Sequence, residues 1–451
     1  MPQEKFHYKS LEEVKQRAAE LGVDLPFAAD THVLAQPLTV RNITFPNRLG
    51  IAPMEGADST PEGAPTAYTT RRYVNEAIGG SSVIWFEAIS IVEEGRSSKT
   101  QLLLTRDTLD EFKKMTAAVK EAGIKANGFA PYLIMQANHS GRYSNPGNKP
   151  APMIAYRHPI LEQYRDADDS CIVTDDYLKG LEEKFGEAAK LAKEAGFDAI
   201  DIKSCHGYLL AELASAYNRP GEYGGSFENR FRLLKNGIRA AKVYEDDSFM
   251  VTARVGIYDG YAYPWGFGVS PESGTTPDLT EPTRLVHELH DELGLDMVNL
   301  TMGNPYATTH VTRPFDFGKY EPDEHPFVGL SRMIHGIGAV KEAVPEMTIW
   351  ASAPSYLRAY ADLFTAGAVE QGLCDGMLFG RMAFADPDFA NEIVKNGRID
   401  PKRVCLTCGK CGDLIRAHKP TGCVIRDSKT FMPFYKEFLE IKKTQPANFR
   451  G

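Results

Sequence analysis

Cys405, Cys408, Cys411 and Cys423, four of the chain's seven cysteines, fall within nineteen residues in the pattern C-x2-C-x2-C-x11-C. Three thiolates on a Gly-containing loop, with a fourth after a short excursion, suit a cubane [4Fe–4S] cluster. The same residue type also serves disulfides and four-thiolate structural zinc, although such zinc sites usually show two separated C-x2-C knuckles. A second group lies in DIKSCHGYLLAELASAYNRPGEYGGSFENR (201–230), where Lys203, His206 and Tyr208 crowd the point at which a strand breaks into a loop. A Lys and a His can polarise a carbonyl by donating hydrogen bonds to its oxygen. A phenol, with an ordinary pKa near ~10, stays protonated at neutral pH and can donate a proton. Together they are equipment for reducing a C=C bond conjugated to a carbonyl. A structural Lys–Tyr network would read the same way, so K-x-x-H-x-Y alone does not decide.

The elements that must position these residues follow a repeating order. Short β-rich runs occur at 48–53 (RLGIAP), 81–88 (SSVIWFEA), 129–136 (FAPYLIMQ) and 197–204 (FDAIDIKS). Four more follow at 249–255 (FMVTARV), 296–301 (DMVNLT), 347–352 (MTIWAS) and 376–381 (GMLFGR). Helical stretches such as DYLKGLEEKFGEAAKLAKEA and NRFRLLKNGIRAAKVY separate them. Eight strands, each followed by a helix, is the count of an α/β fold built as a (β/α)8 TIM barrel; an open doubly wound sheet is the competitor. Glu87, Gln136, Lys203, Arg254 and Arg381 all fall at C-terminal strand ends, where barrel active sites are built. The expected organisation is an N-terminal helical extension (1–35), the barrel (36–398) and a C-terminal cysteine-rich cluster segment and tail (399–451). Two connections, 138–176 and 302–330, exceed simple βα loops and are expected to form lids or pocket walls. Tyr143, Tyr156 and Tyr164 in the first could line a pocket or simply pack.

Composition bounds the rest. With 451 residues, 43% of them hydrophobic, the chain can bury a large core. Its net charge of −9 and lack of a Lys/Arg-rich run make nucleic acid and anionic membrane poor partners. No apolar stretch approaches the ~18 residues that span a bilayer. The charged N-terminus reads as an amphipathic helix rather than a signal peptide. Cys171, Cys205 and Cys374 are scattered, as reduced thiols would be, and the expected location is the cytoplasm. Self-association into a homo-oligomer is left open.

NRLGIAPME (47–55), LIMQANHSGR (133–142), HGYLLAELAS (206–215), RPGEYGGSFENR (219–230), TARVG (252–256) and LFGR (378–381) occur in register along the eight strands. From about residue 36 to 425 the chain resembles the Old Yellow Enzyme family of FMN-dependent oxidoreductases. The C-terminal cysteines look like its iron–sulfur branch, which includes 2,4-dienoyl-CoA reductase and trimethylamine dehydrogenase. The resemblance implies FMN and a [4Fe–4S] cluster as cofactors, the cluster on Cys405, Cys408, Cys411 and Cys423. It implies that Pro53 and Met54 lie along the flavin, with Ala88 near its ring edge. Gln136 would hydrogen-bond the pyrimidine part, and Arg254 would sit near N1 and O2. Ser352, Ala353, Gly380 and Arg381 would bind the phosphate. Lys203 and His206 would anchor the substrate's electron-withdrawing group, Tyr208 would donate the proton, and reduced flavin N5 would deliver hydride.

Two positions depart from the family. Many members carry His where this chain has Lys203, a point charge that favours a carboxylate or thioester oxygen. Glu55 stands where trimethylamine dehydrogenase has the cysteine that bonds FMN covalently, so the flavin is expected to be non-covalent. The named relatives also continue into a flavodoxin-like and nucleotide-binding module, whereas 28 residues follow Cys423 and contain no G-x-G-x-x-G. The reading is therefore an ene-reductase fed through the cluster by a separate flavoprotein or ferredoxin, acting on a small unsaturated carbonyl substrate. Its alternatives are a flavin dehydrogenase oxidising an amine or ketone, and a self-sufficient NAD(P)H-dependent ene-reductase with a structural metal site.

Overall fold

Residues 4–316 and 321–444 are described by the computed structural model; residues 317–320 of the second long loop and the last part of the tail lie outside them. Eight parallel strands close into a barrel: β1 (Leu49–Ile51), β2 (Val83–Ser90), β3 (Tyr132–Asn138), β4 (Ala199–Ser204), β5 (Met250–Gly256), β6 (Met297–Thr301), β7 (Thr348–Ser352) and β8 (Gly376–Phe379), with β8 pairing back onto β1. This is the expected (β/α)8 architecture. Nearly every strand residue is buried, because helices cover the outside while side chains fill the inside. The outer layer includes helices Ala67–Ile78, Leu109–Asn127, Asp175–Glu194, Arg232–Lys242, Thr280–Asp291, Pro326–Ala343 and Ala361–Glu370. Some of their starts are marked by a capping side chain. The Thr66 hydroxyl caps the first and the Thr174 hydroxyl accepts the Tyr177 N–H, satisfying donors the first turn leaves free.

One end of the barrel is plugged. An antiparallel hairpin, Leu38–Val40 with Ile43–Phe45, inserts Leu38, Val40 and Phe45 among the interior residues Trp85, Ile134, Met250 and Trp350. The Phe45 ring meets Trp350 and Tyr132 edge-on at 5.8 and 5.4 Å. The open end is therefore the C-terminal one. There β2 carries a bulge between Trp85 and Ala88. Trp85 lies in the barrel interior, whereas Phe86 stacks on Tyr73 of helix Ala67–Ile78 and Glu87 bonds to that same helix. Glu87 thus stands at the expected strand end but faces out of the barrel, because the extra residue resets the alternation. Ala88, one step on, turns back to the mouth.

The cysteine-rich segment folds against this open end. Helices Lys410–Arg416 and Ser428–Thr444 share a small core of Leu414, Val424, Phe431, Tyr435 and Phe438. The Thr421 N–H donates to Gly56 O (2.8 Å), the Asp316 N–H donates to Thr407 O (3.0 Å), and Arg71 pairs with Asp427 at 2.7 Å. Near the other terminus, helix Leu11–Glu20 buries Val14 and Ala18. Among the described residues no helix is long and apolar enough to cross a membrane.

Candidate active site

The first loop of the site is held from behind. At the end of β1, Pro53, Met54 and Glu55 run along a cavity of about 210 Å3 at the barrel mouth. Arg72 donates to Met54 O at 3.3 Å, and the Gly56 N–H donates to Glu87 Oε2 at 2.9 Å. Arg72 also joins Asp58 (3.1 Å) and Glu87 (2.7 Å), so one buried guanidinium ties two buried carboxylates to the loop. Burial lifts the Glu87 carboxyl to about 7, with Arg72 pulling the other way.

Gln136 and Arg254 are set by a residue the sequence did not single out. Asp201, inside the barrel, accepts from Trp85 Nε1 (2.7 Å), from Gln136 Nε2 (2.6 Å) and from the Arg254 N–H (2.5 Å). Its place in D-A-I-D-I-K, two residues before Lys203 on the same strand face, was the available signal. The Arg254 side chain is buried, and among the described residues its Nε has no hydrogen-bond partner. A buried cation lining the cavity fits an anionic or carbonyl-bearing ring placed there.

At β4 the chain reverses through two consecutive left-handed residues, His206 (φ 68°) and Gly207 (φ 71°). That turn brings Lys203, His206 and Tyr208 to one cavity. A Cβ at Gly207 would lie 2.0 Å from Asn304 Nδ2, so only glycine fits. Lys203 Nζ sits 3.8 Å from the centroid of the Tyr208 ring. The Tyr208 hydroxyl is 2.9 Å from that of Tyr306 and 3.5 Å from Glu55 Oε1. His206 Nε2 is 3.4 Å from Thr301 Oγ1. Burial dominates the local proton affinities: it pushes Lys203 down to about 8, holds His206 well below its ordinary value, and raises Tyr208. Glu55 is partly open to the cavity yet enclosed on its other sides, and that desolvation raises its carboxyl despite Lys203.

The far wall comes from β7 and β8. Ser352, Ala353, Gly380 and Arg381 line it. Ala353 is left-handed (φ 74°), and a Cβ at Gly380 would lie 2.9 Å from Met54 Sδ. All twelve residues expected to serve flavin or substrate therefore face one space. Of the three loop tyrosines, Tyr143 stacks on Tyr306 at 3.8 Å behind Tyr208. Tyr156 instead bonds Ser215 and stacks near Trp265, and Tyr164 is exposed. Tyr306 and Arg313, in the second long loop, were missed because nothing in their local sequence marks them.

The four cysteines of 405–423 are free thiols and line one neighbouring cavity. The Thr407 N–H donates to Cys405 Sγ and the Arg426 N–H to Cys423 Sγ, each at 3.3 Å. Four thiols, two of them met by a backbone donor, are a donor set of the type that holds a thiolate-bound cluster. Among the described residues no three His, Cys, Asp or Glu side chains converge closely enough to hold one metal ion. Cys411 and Arg381 line both this cavity and the barrel mouth.

Residues 33–266 match the model of the NADH:flavin oxidoreductase / NADH oxidase family. The chain belongs to that family. It is 34% identical over 223 residues to the NADPH dehydrogenase of Bacillus velezensis, a match spanning 48% of this chain and 62% of that one, just under two thirds. Two solved structures share the fold. A 2-naphthoyl-CoA reductase in complex with 2-naphthoyl-CoA superposes with a TM-score of 0.72 at 18% identity, over 90% of this chain and 58% of that one. An old yellow enzyme homologue from Zymomonas mobilis gives 0.58 at 20% identity, over 81% and 94%.

Proposed function

We propose that this protein is an FMN-dependent ene-reductase whose electrons arrive from a separate redox protein through a [4Fe–4S] cluster on Cys405, Cys408, Cys411 and Cys423. One observation carries the reading: Lys203, His206 and Tyr208, the residues expected to hold FMN, and Cys411 all line a single cavity. Bound FMN supplies hydride chemistry and can also exchange single electrons, which is what a cluster delivers. The protein's own groups do the rest. Lys203, charged below about pH 8, and neutral His206 donate hydrogen bonds to the substrate's carbonyl oxygen and draw electron density from its β-carbon. The Tyr208 hydroxyl holds the proton for the α-carbon. Tyr306, 2.9 Å away and 38% exposed, links that hydroxyl to solvent for reprotonation.

The test is an anaerobic visible spectrum of the purified protein before and after NADH, then dithionite. Flavin bands over broad cluster absorption, bleached by dithionite and untouched by NADH, are the expected result. A second reading draws on the name of the Bacillus relative: NAD(P)H reduces the FMN directly at the barrel mouth, and the cysteines hold a structural metal. Flavin bands alone, bleached by NADH or NADPH, would establish it. Anaerobic bleaching by a saturated amine or ketone alone would favour the oxidising direction instead.

A further inference from the structure

Glu55 is the one carboxyl among the described residues lining the barrel mouth, and the mechanism above gives it no part. It follows Pro53 and Met54 in the loop after β1. Two hydroxyls meet it. Ser97 Oγ, from the loop after β2, donates to Glu55 Oε2 at 3.0 Å. Ser97 is itself anchored: its N–H donates to Gln101 Oε1 at 2.6 Å, and Gln101 Nε2 donates to Ala88 O at 2.9 Å. The other oxygen, Oε1, lies 3.5 Å from the Tyr208 hydroxyl. Among the described residues the carboxyl forms no salt bridge. Lys203 acts on it electrostatically without pairing, so Glu55 is more than a counter-ion. The titratable groups facing it are Lys203 and Tyr208, from the turn after β4, and Tyr306, from the long loop after β6.

A carboxyl with one oxygen committed to a hydroxyl donor carries its proton on the other. Here that is Oε1, the oxygen facing Tyr208. Burial makes a phenolate at Tyr208 costly, so a donor that must end as phenolate gains from a second acid behind it. We propose that Glu55 is that acid: as Tyr208 gives its proton to the substrate's α-carbon, Glu55 Oε1 gives its own to the Tyr208 oxygen. The proposal rests on the ene-reductase reading, which supplies the enolate that takes the proton. At the α-carbon a C–H bond forms as the Tyr208 O–H bond breaks. At Tyr208 a new O–H bond forms as the Glu55 O–H bond breaks. The enolate's negative charge ends on the Glu55 carboxylate, where the Lys203 ammonium favours it. Tyr306, 2.9 Å from the Tyr208 hydroxyl, then returns a proton from solvent. Glu55 acts on the substrate only through Tyr208.

Infrared difference spectra of the FMN-loaded protein against Glu55→Gln read the carboxyl directly, without turnover. A carboxylic C=O band should be lost in Glu55→Gln and shift in Tyr208→Phe. Because burial raises this carboxyl even against Lys203, the band should fade only at pH above the ordinary 4.5. In stopped flow, dithionite-reduced protein is mixed anaerobically with cyclohexenone or crotonyl-CoA. Flavin reoxidation should slow about tenfold or more in Glu55→Gln, with flavin absorbance retained. Added to Tyr208→Phe, the same change should cost less than about twofold, because its path runs through that hydroxyl. The unaltered rate should fall as the carboxyl loses its proton and again as Lys203 does near pH 8; Glu55→Gln should keep only the second fall. A carboxyl titrating in the ordinary range, a band indifferent to Tyr208→Phe, or equal losses from Glu55→Gln in both backgrounds overturns the proposal. Reoxidation by neither alkene, with the infrared result as expected, defeats the ene-reductase reading and leaves the Glu55–Tyr208 proton path standing.

Discussion

Replacing Gly207 by alanine tests how the turn after β4 supports the tyrosines. The added Cβ would sit 2.0 Å from Asn304 Nδ2, and residue 207 would hold a methyl at φ 71°. The left-handed backbone costs about 1 kcal/mol for a non-glycine residue. The overlap can be relieved only by moving Asn304, whose Oδ1 accepts the Tyr306 N–H at 2.8 Å and whose Nδ2 donates to the Tyr143 hydroxyl at 3.3 Å. Losing both bonds in a buried setting costs about 1 kcal/mol each. The expected destabilisation is therefore about 3 kcal/mol, read as a shift of the urea midpoint at constant slope. Asn304→Ala alone should lose the two bonds but open the space the methyl needs. The double variant should then fall short of additivity by about 1–2 kcal/mol. Because Tyr306 would lose its register with Tyr208, the hydroxyl pair at 2.9 Å should loosen and turnover should drop in Gly207→Ala as well. A wild-type midpoint for Gly207→Ala, or strict additivity in the double variant, would refute the packing argument.

Tyr208→Phe should retain flavin absorbance and lose about 10²–10⁴-fold in reduction of an activated alkene, measured under anaerobic turnover. Lys203 is a base held at about 8, below its ordinary 10.5, so it is charged below that pH and neutral above it. Affinity for a carbonyl or carboxylate ligand should fall as pH rises through about 8, and Lys203→Met should flatten the profile. Arg72→Met strips the cation from buried Asp58 and Glu87 and should cost about 3–5 kcal/mol in a denaturant titration. Burial already lifts Glu87 to about 7 and Glu76 to about 8, so the native state binds more protons than the unfolded one above pH ~4.5. Stability carried by these groups is present at low pH and lost as pH rises through 7–8, and the Arg72→Met deficit should widen over that window.

Much of the architecture was legible in the chain because its signals are local. Buried parallel strands appear as short apolar runs, helices as longer periodic ones, and eight alternations leave few ways to fold. The polar residues at strand ends could be placed because a parallel barrel brings all those ends to one face. Hence Gln136, Lys203, Arg254 and Arg381, far apart in sequence, share a cavity. Glu87 was misdirected by the same logic, since the bulge in β2 changes which face a residue takes without changing its place in the strand.

What the sequence by itself determined is the order of elements, the set of residues at the barrel mouth and the cysteine spacing. Each follows from neighbours along the chain. The tertiary structure alone decided which long-loop residues reach the site: Tyr143 and Tyr306 stack behind Tyr208, while Tyr156 and Tyr164 do not join them. It also decided that Arg313 lines the barrel mouth together with Arg381 and Arg416, and that Cys411 and Arg381 belong to two cavities at once. These are consequences of loops from distant strands meeting over one barrel end. Their contacts depend on closure of the sheet and on where each turn releases the chain, which no local periodicity records.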